Sequence, residues 1–202
     1  MKLGQAVPTE TVLLSFIEAE LDSPNRRGGF VQALTARGVE SLLADGTSKW
    51  LVSQRQLLLY ILGQIRGMFI LPLLALTPKW FEATIQPSEL SQHHATAGAW
   101  WGNLSPSWDL GGFIDSFEAG RDAPDGGFRA KVYDLATNFD PARQRGRPIL
   151  VGSSQAGMLT VLEGTTRLLA ILKRHRDGLD LPESFPVYCG LSPQADQWMF
   201  RK

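Results

Sequence analysis

The stretch Val161-Leu162-Glu163-Gly164-Thr165-Thr166-Arg167-Leu168-Leu169-Ala170 reads as a strand that ends in an acid and a glycine and turns straight into a helix. A helix N-terminus presents N–H groups without intrahelical acceptors and a partial positive charge, so it attracts anions. Thr165 or Thr166 is a natural cap for such a helix. Arg167 adds a planar fork of donors suited to phosphate. Gly164 lets a ligand approach the backbone. Glu163 sets one carboxylate beside the turn, where it can hold a metal ion or accept a proton. The segment is expected to bind phosphate, although strand–glycine–helix turns also occur with no ligand.

The neighbourhood is basic. Residues 141 to 176 hold seven Lys and Arg (Arg143, Arg145, Arg147, Arg167, Lys173, Arg174, Arg176) against one acid, Glu163. The chain as a whole is neutral, with 20 basic and 20 acidic residues, which argues against a protein living on non-specific DNA affinity. The local excess reads either as a solvated helix face with an arginine-rich loop, or as a rim that guides nucleic acid through Arg143, Arg145, Arg147, Lys173 and Arg174.

Upstream of the turn, residues 148–152 read as a strand and 153–157 as a turn. Residues 158–162 read as a second strand, which forms a hairpin with the first. Residues 165–176 give an amphipathic helix with Leu168, Leu169, Ile171 and Leu172 inward, stopped near Gly178. Residues 185–189 are a further strand. It holds Cys189, the single cysteine, which is expected to be a buried small hydrophobe and not a nucleophile. One cysteine permits no intrachain disulfide, which fits a reducing, cytoplasmic setting.

The first third is expected to be helical, over residues 9–21, 30–37, 39–43 and 48–67, with turns at Ser23-Pro24-Asn25 and Asp45-Gly46. Residues 57–76 are twenty mostly apolar positions interrupted by Gln64, Arg66 and Pro72. They read as a buried helix, a break and a second apolar stretch, without stable membrane insertion, because a central arginine is costly in a bilayer. Residues 80–85 alternate like a strand, and 87–90 begin a short helix or turn. Residues 95–127 form a long region rich in Gly and Trp, with one short helix near 113–119. Residues 129–136 are another short element.

Glu163, Gly164 and Arg167 form an acid–Gly–x–x–Arg box between a strand hairpin and a helix that is followed by a strand. The arrangement resembles the ParB/sulfiredoxin superfamily, in which a Gly-x-x-Arg box at a helix N-terminus binds nucleotide phosphates. Residues 80–90 look like the opening strand and first helical turn of that family, and the likeness spans about 79–198. It implies an α+β fold with a mixed sheet and helices over residues 79–202, preceded by a helical extension over 1–78. It also implies a nucleotide, ATP or another, with Mg²⁺. Stand-alone, plasmid-borne members imply ATPase or DNase activity on plasmid or other DNA.

Two departures narrow the resemblance. Threonines stand where sulfiredoxins carry a catalytic cysteine, so sulfinic-acid reduction is not expected. Only about 26 residues follow the helix, so the helix-turn-helix region of partition proteins is not expected either.

On this reading Gly164, Thr165, Thr166 and Arg167 bind the nucleotide, and Glu163 holds the metal or positions water. Asp109, Asp115, Asp122 and Asp125 are candidates to complete a Mg²⁺ site, or are simply solvated loop acids. Arg167→Ala is expected to abolish nucleotide binding without unfolding the protein. His93-His94 is a poor chelating pair, because adjacent side chains point apart. The alternative is a non-catalytic inhibitor or adaptor that binds a protein partner, for example in conjugation, secretion or defence. The tryptophans and residues 57–76 would then be its contact surface.

Overall fold

The computed structural model describes residues 1–22, 27–43, 50–96, 101–124 and 126–198, with only the backbone at 27, 40, 43 and 101. The turns expected at Ser23-Pro24-Asn25 and Asp45-Gly46, the helix start at Ser48, and Trp100 and Asp125 lie outside the described residues.

Among the described residues, six strands form one mixed sheet: β1 (Lys2–Val7), β2 (Lys79–Ile85), β3 (His94–Ala95), β4 (Ile149–Gly152), β5 (Thr160–Glu163) and β6 (Phe185–Leu191), in the order β1-β2-β6-β4-β5-β3. The β1/β2, β2/β6 and β4/β5 pairs are antiparallel; β4/β6 and β3/β5 are parallel. The α-helices are α1 (Thr9–Asp22), α2 (Arg27–Thr35), α3 (Val52–Ala75), α4 (Leu110–Glu118), α5 (Phe128–Thr137) and α6 (Thr165–Arg176). The chain is thus an α+β fold with a mixed sheet.

Alternation along the strands divides the core into two layers. Trp80, Ile149, Val151, Leu162 and Tyr188 join the side chains of α1, α2 and α3. Ala83, Leu150, Val161, Val187 and Cys189 join those of α4 and α6 on the opposite face. The sheet is therefore sandwiched between helices. β1 pairs with β2, and α1–α3 share a core with β2, β4, β5 and β6.

Several elements differ from the sequence expectation. β1 was not foreseen: it is an edge strand, mostly exposed, so its residues carry no apolar alternation. α2 starts at Arg27 and takes Gly28 and Gly29 into its first turn. α3 runs unbroken through Pro72. A proline there withdraws the N–H that would bond the carbonyl of Met68, and Met68 is exposed, so solvent can serve that carbonyl. The Gly/Trp region is more ordered than a loop. It contains β3, a 3₁₀ turn at Trp101–Asn103, and α4, whose N-cap Asp109 accepts from the Gly112 N–H at 2.7 Å.

α3 is, among the described residues, the one helix long and apolar enough to cross a membrane. Its Arg66 pairs bidentately with Glu20 of α1, at 3.1 Å and 2.9 Å, and Glu20 is fully buried. Stable insertion would break that pair and bare the apolar cluster that α3 shares with α1 and α2, so it is not plausible.

Candidate functional site

β5 delivers Glu163 to the sheet end, opposite Ile149 of β4, and the chain then turns at Gly164 into α6. Gly164 occupies the N-cap position in the left-handed region, φ 93°, and, being glycine, supplies no side-chain cap. The threonines expected to cap it are instead the first two helical residues. The conformation requires glycine twice over: a β-carbon would be strained at this φ, and it would stand 2.9 Å from the Pro148 Cβ.

The first turn opens on a cavity of about 340 Å³. Glu163, Gly164, Thr165, Thr166 and Arg167 all line it, so the sequence box is brought together as one surface. Lys131 of α5 and the carboxylates of Asp22 and Asp134 complete the wall. These last three come from remote segments and carried no sequence signal. A second, larger cavity of about 540 Å³ lies between α1 and β6, with Gln144 and Arg167 shared by both cavities.

Arg167 sits differently from the expectation. Its fork is turned onto the backbone of the preceding loop, donating from Nη1 to the Gly146 carbonyl at 2.6 Å and from Nη2 to the Arg145 carbonyl at 3.1 Å. Burial pushes its pKa down, while Glu163 and Asp22 hold it up. Arg167 is therefore a partition between the cavities and a brace for the loop, as well as a fixed positive charge beside the turn. Its removal is not structurally neutral.

The other basic candidates disperse. Arg147 lines the larger cavity, where it pairs with Glu82 at 2.9 Å and lies over the Tyr188 ring at 5.1 Å. Arg145 contributes its carbonyl to Arg167. Arg143 pairs with Asp140 at 3.1 Å, its side chain 85% exposed. Lys173 and Arg174 are at the far end of α6. Lys173 is bound to Asp177 and Glu118; Arg174 donates to the carbonyls of Ala136 at 2.6 Å and Asp180 at 2.9 Å. The five residues do not make one continuous rim.

Magnesium takes one or two carboxylates and fills its remaining positions with phosphate oxygens and water. Glu163, with Asp22 and Asp134 on the same wall, fits that demand once a phosphate is present. Among the described residues no group of three His, Cys, Asp or Glu is placed to hold a metal by itself. Three described acids of the Gly/Trp region serve the fold. Asp109 caps α4, Asp115 pairs with Arg176, and Asp122 accepts from the Arg129 and Ala123 N–H groups at 2.8 Å and 2.7 Å. His93 is buried and accepts at Nδ1 from the Leu159 N–H. Trp50, Trp80 and Trp198 are buried in the core and offer no contact surface. Comparison with protein-family models, curated proteins and solved structures finds no match to this chain.

Proposed function

We propose that the chain is a nucleotide-binding protein, of the ParB/sulfiredoxin kind, that seats the phosphates of ATP or a related nucleotide on the first turn of α6. The observation that carries this reading is the cavity at the turn. Gly164, Thr165 and Thr166 line it at the first turn of α6, with Lys131 and Arg167 on its walls. N–H groups there and a threonine hydroxyl bind phosphate oxygens, and the two cations balance their charge. Glu163 is the residue to hold Mg²⁺ against those phosphates. Bound there, the ion would neutralise phosphate charge and polarise the P–O bond. Hydrolysis of a phosphate ester or phosphodiester would then use Glu163 to orient the attacking water. A free nucleotide is favoured over a DNA strand, because Lys173 and Arg174 are engaged at the other end of a helix about 18 Å long.

The test is calorimetric titration of the full chain with ATP, CTP, GTP and ADP, with and without Mg²⁺, on wild type and Thr166→Glu. A carboxylate in the first turn suits the helix dipole and repels phosphate, so the variant should stay folded and lose at least tenfold in affinity. Wild-type affinity in the variant would sink the site.

One observation favours the adaptor reading. The outer face of α3 exposes Tyr60 (58%), Met68 (79%) and Leu71 (60%) with no charged residue among them, a surface suited to a protein partner. On that reading no nucleotide binds.

A further inference from the structure

We infer that the larger cleft, of about 540 Å³ between α1 and β6, is a binding site of its own, for an apolar monocarboxylic acid. The carboxylate of that ligand meets the Tyr188 hydroxyl and the Arg147 guanidinium, and its hydrocarbon body lies against Leu14, Phe139, Ile171 and Phe185. The inference stands independently of the phosphate reading, because Arg167 and the loop over residues 145–147 wall this cleft off from the turn of α6.

Three observations carry it. First, Tyr188 lines the cleft and is only 7% exposed, yet its hydroxyl meets no acceptor among the described residues. A buried hydroxyl without a partner costs free energy, and a ligand oxygen removes that cost. Burial pushes the Tyr188 pKa up, so the group stays an O–H donor at neutral pH. Second, the Arg147 guanidinium lies over that same ring, 5.1 Å from its centre, and Arg147 is also on the cleft wall. Glu82 takes Nη1 at 2.9 Å, and the rest of the fork has no acceptor among the described residues. A carboxylate has two oxygens, one for the hydroxyl and one for the guanidinium. The backbone N–H of Arg147 donates to Ser15 Oγ at 2.7 Å, which fixes this wall against α1 before any ligand arrives. Third, the remaining surface matches an apolar acid. Leu14, Phe139, Ile171 and Phe185 come from four separate segments to one cleft, whose size is that of a small-molecule pocket. Its lining holds the guanidinium groups of Arg55, Arg147 and Arg167 against one carboxylate, Glu18, a balance that favours an anion. A phosphate would press further charged oxygens onto the apolar side chains and Glu18, whereas a carboxylate is satisfied at the one wall.

The experiment is titration calorimetry of the full chain with 3-phenylpropionate, naphthalene-2-carboxylate and octanoate, each beside its primary amide. At least one acid should bind, and about tenfold or more tightly than its amide. Tyr188→Phe keeps the ring beneath Arg147 and deletes only a hydroxyl with no partner among the described residues. Its Tm should match wild type, while its affinity for that acid falls about tenfold or more. Thr11 lines the cleft from the exposed side of α1, so Thr11→Trp should fill the cleft and abolish binding. Thr166→Glu, in the other cavity, should leave the acid's affinity unchanged. No binding by any of these acids, equal affinity for acid and amide, or wild-type affinity in Tyr188→Phe or in Thr11→Trp overturns the inference. Loss of the acid in Thr166→Glu places it at the turn of α6 and overturns the inference as well.

Discussion

The guanidinium of Arg167 is tied to the carbonyl of Gly146, Nη1 to oxygen 2.6 Å, one residue before the Arg147 N–H meets Ser15. The side chain best placed to recognise phosphate is thus also the brace that seats a loop on α1. Arg167→Ala removes two charge-assisted bonds and is expected to lower stability by about 1.5–3 kcal/mol. For a chain of this size that is about 2–4 °C in Tm for each kcal/mol. Urea denaturation should show the loss, and Arg167→Lys should recover little of it, because a lysine has no fork. An unchanged midpoint in Arg167→Ala would mean that the loop is held by other contacts.

Gly164 makes a sharper probe of the turn than Arg167. Gly164→Ala combines a strained φ of 93° with a β-carbon 2.9 Å from Pro148, a cost of about 1–3 kcal/mol. Relief of that clash must shift the first turn of α6, so nucleotide affinity should fall at least tenfold. Gly178, just past the other end of the same helix, has φ 66° and open space where a β-carbon would go. Gly178→Ala should therefore lose some stability and keep its affinity. Equal binding losses in the two variants would separate the effect from the turn.

Why the turn was legible and the cleft was not follows from chain distance. Residues 161–170 declare a strand, a glycine and an amphipathic helix through local periodicity, and the local candidates from Glu163 to Arg167 do line one cavity. Lys131, Asp22 and Gln144 reach it from α5, the end of α1 and a loop, and no local pattern marks them. β1 owes its strand to pairing with β2, from Lys2 opposite Thr84 to Val7 opposite Trp80, and not to its own alternation. Pro72 signals a break in local terms, but tertiary packing of Ile70 and Leu73 in the core holds α3 continuous across it. The charge run over residues 141–176 misled for a related reason. Composition counts charges, whereas the fold spends Lys173, Arg174 and Arg176 on bracing the α4, α5 and α6 region.

Glu20 and Arg66 make a second long-range lock, between α1 and α3. Glu20 is fully buried and Arg66 partly exposed. Arg66→Met strands a buried carboxylate and should cost about 3–5 kcal/mol. Pairing it with Glu20→Leu removes the stranded charge, so the double variant should be more stable than Arg66→Met alone. Chemical denaturation of the two variants and wild type gives the comparison. A double variant less stable than the single would show that Glu20 is held mainly by its other contacts.

His93 sets a pH dependence that can be read separately. Burial, reinforced by the N-terminal ammonium of Met1 and by His94 next to it, pushes its pKa down from 6.5 to about 4. The Leu159 N–H donates to Nδ1, so that nitrogen carries no proton in the folded chain, and protonating it breaks the bond. The unfolded chain binds the proton more readily, so stability falls as pH drops below about 6.5 and the loss is complete near 4. A shift of this size corresponds to about 3 kcal/mol. Carboxylates titrate in the lower part of the same window, so the informative quantity is a difference. His93→Gln should flatten the stability curve relative to wild type between pH 6.5 and 4, measured by urea midpoints at half-unit intervals. Parallel curves for the two proteins would show that folding does not lower the proton affinity of His93, and that the Leu159 bond to Nδ1 does not hold it neutral.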